Sequence, residues 1–280
     1  MTLATDRMEL SLHHPTDGFY RGTRFDHSGI FSSLLLDGEE LCGPWFETYH
    51  PDAHDAVQGP SEEFSPIPVT ENTLLKIGVG LLEADSASYD RFRLYPVAEA
   101  GTWDVLPGTA AVTFRHILPG FYTYTKEIVL TGATSFDIRH CLCAERPLEG
   151  EVYNHNFFTL NRLETGPGRT VDFPFRPAGD WRAVYDSVAF TPAGIRFSRP
   201  LQAGESVYCG NIHASGEQGM PYAITLGDGP VSVRISASVP ASRTVFWANH
   251  RIACPEPYNR FLSRPGEAYR WTISYILDRK

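Results

Sequence analysis

Apolar and polar residues alternate along most of this chain in short runs of period two. Successive side chains of a strand point to opposite faces, so this period marks strands with one face buried. Turn residues break the runs at intervals of roughly 8 to 15 positions, the spacing of a large all-β domain. The pattern predicts strands over 8–12, 29–36, 74–82, 91–95, 110–116, 122–130 and 135–143. Further strands are predicted over 152–160, 182–190, 206–209, 231–239, 244–248 and 268–277. Leu36-Asp37-Gly38-Glu39 carries a hairpin signal, and Leu118-Pro119-Gly120 and Thr165-Gly166-Pro167-Gly168 read as tight turns. With 24 Gly and 21 Pro spread through the chain, no long amphipathic helix survives and little helix is expected.

Residues 43–68 form the longest stretch without a period. Loops of that length are usually functional or disordered, and Trp45, Phe46, Tyr49 and Phe64 speak against disorder. The segment reads as an ordered loop folded over one face of a sandwich. No repeat of fixed period points to a propeller, and no Gly/Ser-rich or Pro-rich linker divides the chain, so residues 1–280 are expected to form one domain.

The composition narrows the partners. Hydrophobic residues make up 42% and charged residues 20% of 280, close to globular averages, so a sizeable core is expected. The net charge is -9 and no basic block occurs, which disfavours nucleic acid and anionic membranes and favours neutral ligands. Residues 1–12 lack the apolar stretch of a signal peptide, and the apolar run 74–82 is interrupted by Lys76 and too short to span a bilayer. Five cysteines (Cys42, Cys141, Cys143, Cys209 and Cys254) are an odd number without repeated spacing, which argues against a disulfide framework and fits a reducing cytoplasm. Cys141 and Cys143 are expected on one strand face as two small buried side chains rather than metal ligands.

Two segments carry candidate chemistry. Tyr153-Asn154-His155-Asn156-Phe157-Phe158-Thr159-Leu160 reads as a strand with one histidine among aromatic and apolar neighbours. Pro255-Glu256-Pro257-Tyr258 fixes a glutamate on backbone stiffened from both sides. A histidine and a carboxylate on rigid backbone suit proton transfer to and from a neutral substrate. The plainer readings are a hydrogen-bonded core histidine and a surface glutamate in a rigid loop.

The segment 154–160 resembles the Asn-His-x-Tyr-Phe-Asn-Leu strand of the galactose mutarotase (aldose 1-epimerase) superfamily. The ending from Arg251 through Glu256 to Pro265-Gly266-Glu267-Ala268-Tyr269-Arg270-Trp271 is similar to that superfamily's C-terminus, and Gly22-Thr23-Arg24-Phe25 with 29–34 and Asp37-Gly38 to its opening hairpin. The resemblance implies an all-β, single-domain β-supersandwich of the galactose mutarotase-like type, a cleft for a pyranose, His155 as general acid and Glu256 as general base. It implies no metal or organic cofactor. The superfamily's Gly-Arg-x-x-Asn-Arg and Leu-His-Gly-Gly segments correspond here to Gly59-Pro60-Ser61-Glu62-Glu63-Phe64 and Leu75-Lys76-Ile77-Gly78-Val79-Gly80, so acids replace the arginine and Lys76 the second histidine. Glu62, Glu63, Lys76, Asn154, Arg24 and Tyr258 are accordingly expected to bind the sugar.

Other groups point less sharply. His50 and His54 lie four apart beside Asp52 and Asp55, a spacing that resembles metal ligands but reads better as surface or cleft rim. Arg21 and Arg24 could reach a sugar or an acid, and Trp45, Phe46, Tyr153 and Trp247 could stack on a sugar ring. The expected function is aldose 1-epimerase-like interconversion of sugar anomers by a cytoplasmic enzyme, monomer or homodimer. Its partner would be a small-molecule sugar, with no nucleic acid and no membrane. The alternatives are a non-catalytic carbohydrate-binding β-sandwich and an epimerase acting on a modified or acidic sugar.

Overall fold

The computed structural model describes residues 1–85, 88–183, 186–214 and 220–279, and among these there is no helix and every strand pairing is antiparallel. Two large sheets face each other. The ten-stranded sheet runs in the order Thr102–Pro107, Ala111–Leu118, Tyr122–Gly132, Ser135–Ala144, Ala268–Arg279, Val231–Ala237, Ala223–Asp228, Arg169–Asp172, Gly194–Phe197, Val188–Thr191. The six-stranded sheet runs Pro177–Ala183, Ser206–Ala214, Arg243–Asn249, Ala253–Ser263, Leu148–Phe157, Gly59–Phe64. Two four-stranded sheets come from the first hundred residues. No helix among the described residues is long and apolar enough to cross a membrane.

Alternation builds the core as expected. In Tyr122–Gly132, residues Tyr122, Tyr124, Lys126 and Ile128 are buried while their neighbours are partly exposed, and Phe136, Ile138, His140 and Leu142 repeat the phase on the next strand. Phe64, from the six-stranded sheet, meets this layer edge-on: its ring lies 5.3 Å from Tyr124 and 6.2 Å from Trp271. The opposite phase leaves Cys141 half-buried and Cys143 exposed, with their sulfurs 3.8 Å apart, which corrects the expectation that both are buried.

Five further expectations need correction. The run 74–82 is a hairpin, Thr73–Lys76 against Gly80–Glu83, rather than one strand. Its turn needs Gly78 at φ +76°, and a Cβ there would lie 2.2 Å from Asp26 Oδ1. Residues 91–95 form a turn and loop, which sets Arg91 over the Tyr153 ring of the six-stranded sheet and packs Tyr95 with Leu74 and Val79 of the hairpin. The irregular stretch ends early: Gly59–Phe64 is a strand with all six residues buried, and only 43–58 remain as the covering loop. Pro255, Glu256 and Pro257 lie inside the eleven-residue strand Ala253–Ser263, not in a loop. The expected strand 182–190 covers the end of Pro177–Ala183 and the start of Val188–Thr191, while its residues 184–185 lie outside the described residues.

Candidate active site

One face of the six-stranded sheet packs on the ten-stranded sheet, and the other carries the site. Register places Tyr153 between Glu63 and Tyr258, and His155 beside Ser61. Alternation then sends Tyr153, His155, Phe157 and Glu63 to the outer face and Asn154, Asn156 and Glu62 to the inner one. On the neighbouring strands Cys254, Glu256, Trp247 and Tyr208 join the outer face.

The strand of His155 and the strand of Glu256 separate where the prolines begin. Their ladder stops at Tyr153↔Tyr258, and continuing it would set His155 opposite Glu256. Pro255 and Pro257 have no N–H to give. Asn156 closes the gap instead: its backbone N–H donates to Cys254 Sγ (3.2 Å), and its side-chain amide donates to the carbonyls of Pro255 (3.0 Å) and Asn154 (3.1 Å). In the split, His155 Nδ1 lies 3.2 Å from Glu256 Oε1 and His155 Nε2 lies 3.3 Å from Glu63 Oε2. The imidazole and Glu256 therefore touch, and do not stand on opposite walls of a cleft.

Above the pair is a cavity of about 180 Å³ whose lining includes Arg24, Trp45, Arg91, His155, Trp247 and Glu256. At ~30 Å³ per water it has room for about six waters. Trp45 stacks on Phe157 at 5.0 Å and meets Trp247 edge-on at 5.6 Å, so one wall is aromatic. The covering loop is tied down by Trp45 Nε1 donating to Val57 O (2.9 Å) and Tyr20 OH donating to His54 O (3.1 Å). His54, Asp55 and Phe92 stand at the rim.

Under the floor, Glu63 is fully buried and accepts hydrogen bonds from Arg24 Nε (2.7 Å) and Tyr153 OH (2.8 Å), with Lys76 Nζ at 3.7 Å. Burial raises its carboxyl, but Lys76 and Arg24 outweigh that and hold it well below the usual carboxylate range. Burial brings Lys76 down to about 8 against the opposing pull of Glu63. Its ammonium also donates to the carbonyl of Phe64 and lies 4.8 Å from the Tyr89 ring centroid.

Across the sheet, Glu62 accepts from Lys126 and, at 3.2 Å, from Asn154 Nδ2. Asp26 lies 3.6 Å from the same ammonium and accepts from Ser28 and from Tyr124 OH (3.2 Å). Tyr124 OH also bonds His140 Nδ1 (2.9 Å). The cluster anchors the loop that bears Arg24 two residues from Asp26.

Of the expected site residues, His155, Glu256 and Arg24 line the cavity. Glu62 and Asn154 are turned to the inner face by strand alternation and cannot reach a ligand there. Glu63 and Lys76 lie beneath the floor, where they hold His155 and Arg24 rather than a sugar. Tyr258 is buried, stacked on Tyr153 at 4.2 Å with the Arg243 guanidinium over it. Arg21 is largely exposed and pairs with Asp52 at 2.8 Å. Sequence reasoning missed Arg91, Phe157 and Tyr208 at the cavity. Phe157 follows from His155 by a step of two, whereas nothing in the local sequence marks Arg91.

No protein-family model and no curated protein matches the sequence. Solved structures do match in shape. The Slr1438 protein of Synechocystis sp. PCC 6803 superposes with a TM-score of 0.60 at 13% identity, covering 100% of this chain and 96% of that one. A GalM/aldose epimerase homologue from C. elegans gives 0.58 at 14% identity over 100% and 98% of the two chains. A galactose mutarotase-like protein from Clostridium acetobutylicum gives 0.58 at 13% identity over 100% and 95%. Over its full length, this chain has the all-β galactose mutarotase-like fold.

Proposed function

We propose that this protein interconverts the anomers of a free sugar, with Glu256 as general base and His155 as general acid. The observation that carries the reading is their 3.2 Å contact at the cavity. Mutarotation removes a proton from the anomeric hydroxyl and delivers one to the ring oxygen, and these two oxygens hang on the same carbon. An acid and a base acting on them together must be neighbours. Glu256 takes the hydroxyl proton as the C1–O5 bond breaks, and His155 protonates O5. Rotation about C1–C2 and the reverse transfers then close the other anomer. Glu63, on the far nitrogen of the ring, fixes its orientation. Trp45 and Trp247 offer apolar surface to the sugar's C–H faces.

Following optical rotation of freshly dissolved aldoses tests the assignment. Glu256→Gln should slow enzymatic exchange by roughly 10²–10⁴-fold, the usual contribution of a positioned base. An unchanged rate removes Glu256 from the role, and sugar binding without exchange in the wild type supports a carbohydrate-binding protein instead. A second reading, a sugar with an acidic substituent, is favoured by Arg91: it lines the cavity, and among the described residues no carboxylate lies within ion-pairing distance of it, Glu63 acting on it from farther off. Faster exchange of uronates or sugar phosphates than of neutral hexoses would select it.

A further inference from the structure

Cys254 is not needed for proton transfer, yet it is buried beside the acid–base pair. One ligand atom each from His155, Cys254 and Glu256 can be chosen so that all three lie within 4.8 Å of one another. Tetrahedral bonds of ~2.0–2.3 Å set donor separations of about 3.5 Å, so a shift of about an ångström would close the set around an ion. We propose that this cleft holds a second, mutually exclusive site: a thiophilic divalent cation of the Zn²⁺ class bound by His155 Nδ1, Cys254 Sγ and the Glu256 carboxylate.

The surroundings match what such ions require. A histidine ligand almost always has its other ring N–H on a carboxylate or carbonyl, and Glu63 Oε2 lies 3.3 Å from Nε2 on the side away from Glu256. The Asn156 N–H that reaches Cys254 Sγ at 3.2 Å is a donor suited to a thiolate. The His155 ring is buried and both nitrogens lie within ion-pairing distance of carboxylates, yet neither meets hydrogen-bond geometry. That leaves Nδ1 open to a metal. Nitrogen, sulfur and oxygen donors together select zinc-like ions over Mg²⁺ or Ca²⁺, and the cavity leaves a fourth position for water. Of the cations nearby, Lys76 lies beneath Glu63, whereas Arg24, although it donates to Glu63 at 2.7 Å, lines the same cavity and its charge acts on both Glu256 and Cys254, so Arg24 and, farther off, Arg91 are the charges the ion must tolerate. The spaced pair His50 and His54 offers no such set among the described residues: the ion-pairing partner of each is a single aspartate, Asp52 at 3.9 Å and Asp55 at 3.8 Å.

Occupancy would engage both the acid and the base, so on the sugar reading the ion is an inhibitor. The test is titration of ZnCl₂ into metal-free full-length protein by calorimetry, in a Cys141→Ser/Cys143→Ser background that removes the exposed thiol pair. One equivalent should bind, and Cys254→Ser should weaken it at least tenfold while Cys42→Ser leaves it unchanged. Co²⁺ in the same background should give thiolate-to-cobalt charge-transfer absorption, a readout that needs no substitution at the site. No stoichiometric zinc, equal binding by Cys254→Ser, or cobalt bound without that absorption overturns the proposal. Anomer exchange assayed in parallel separates the two readings. Zinc should stop it in this background and spare it in Cys254→Ser, whereas binding by a protein without exchange activity sinks only the sugar reading.

Discussion

Glu62 and Glu63 are chain neighbours with opposite environments. Glu63 has Arg24, Lys76, Tyr153 and His155 around it, and Glu62 has Lys126 and Asn154. Both acids were visible as candidates in the sequence, but only knowing that Gly59–Phe64 is a strand decides which face each takes. Removing one partner of a buried ion pair typically costs 3–5 kcal/mol because the other charge is left stranded. Glu63→Gln should therefore lower stability by about 3 kcal/mol in urea denaturation. Adding Lys76→Met should recover part of that loss, since it removes the stranded ammonium. Additive losses in the double variant would show that the two charges are not coupled.

At the scale of elements, the strands that carry the site were the hardest to read. Period two is legible where one face meets the core and the other meets water, as in Tyr122–Gly132 and Ser135–Ala144. Gly59–Phe64 and the first seven residues of Ala253–Ser263 are buried on both faces, so no alternation survives. The latter also carries two prolines, a signal that ordinarily argues against a central strand. They are accommodated because the ladder to the His155 strand ends before them and Asn156 bridges the gap. Asn156→Ala would leave the carbonyls of Asn154 and Pro255 without that donor and Tyr275 OH with one acceptor fewer (Asn156 Oδ1, 3.3 Å). At about 1–3 kcal/mol for each of the two carbonyls stranded, a loss of about 2–6 kcal/mol is expected. An equal denaturation midpoint for Asn156→Ala would mean that the split is held by the rest of the sheet.

Across the whole molecule, the two large sheets are joined by a polar cluster as well as by an apolar core. Lys126 and His140 sit in the inward phase of strands whose other inward residues are apolar, a signal present in the sequence, but their partners Asp26 and Glu62 come from segments with no readable period. Burial holds His140 at about 3, against an ordinary 6.5, and raises Asp26 from 3.8 to about 6. The signs oppose each other. A histidine whose folded value is depressed supplies stability above 6.5 that is lost as pH falls toward 3, because the unfolded chain binds the extra proton. A carboxyl whose folded value is raised supplies stability below 3.8 that is lost as pH rises through 6. Between pH 4 and 6 the two slopes, each of about 1.4 kcal/mol per pH unit, offset one another in the wild type. Relative to wild type, His140→Gln should therefore gain stability as pH falls from 6 to 4, and Asp26→Asn should lose it. Guanidinium denaturation at half-unit steps reads the difference directly, and parallel curves for both variants would show that neither group changes its proton on folding.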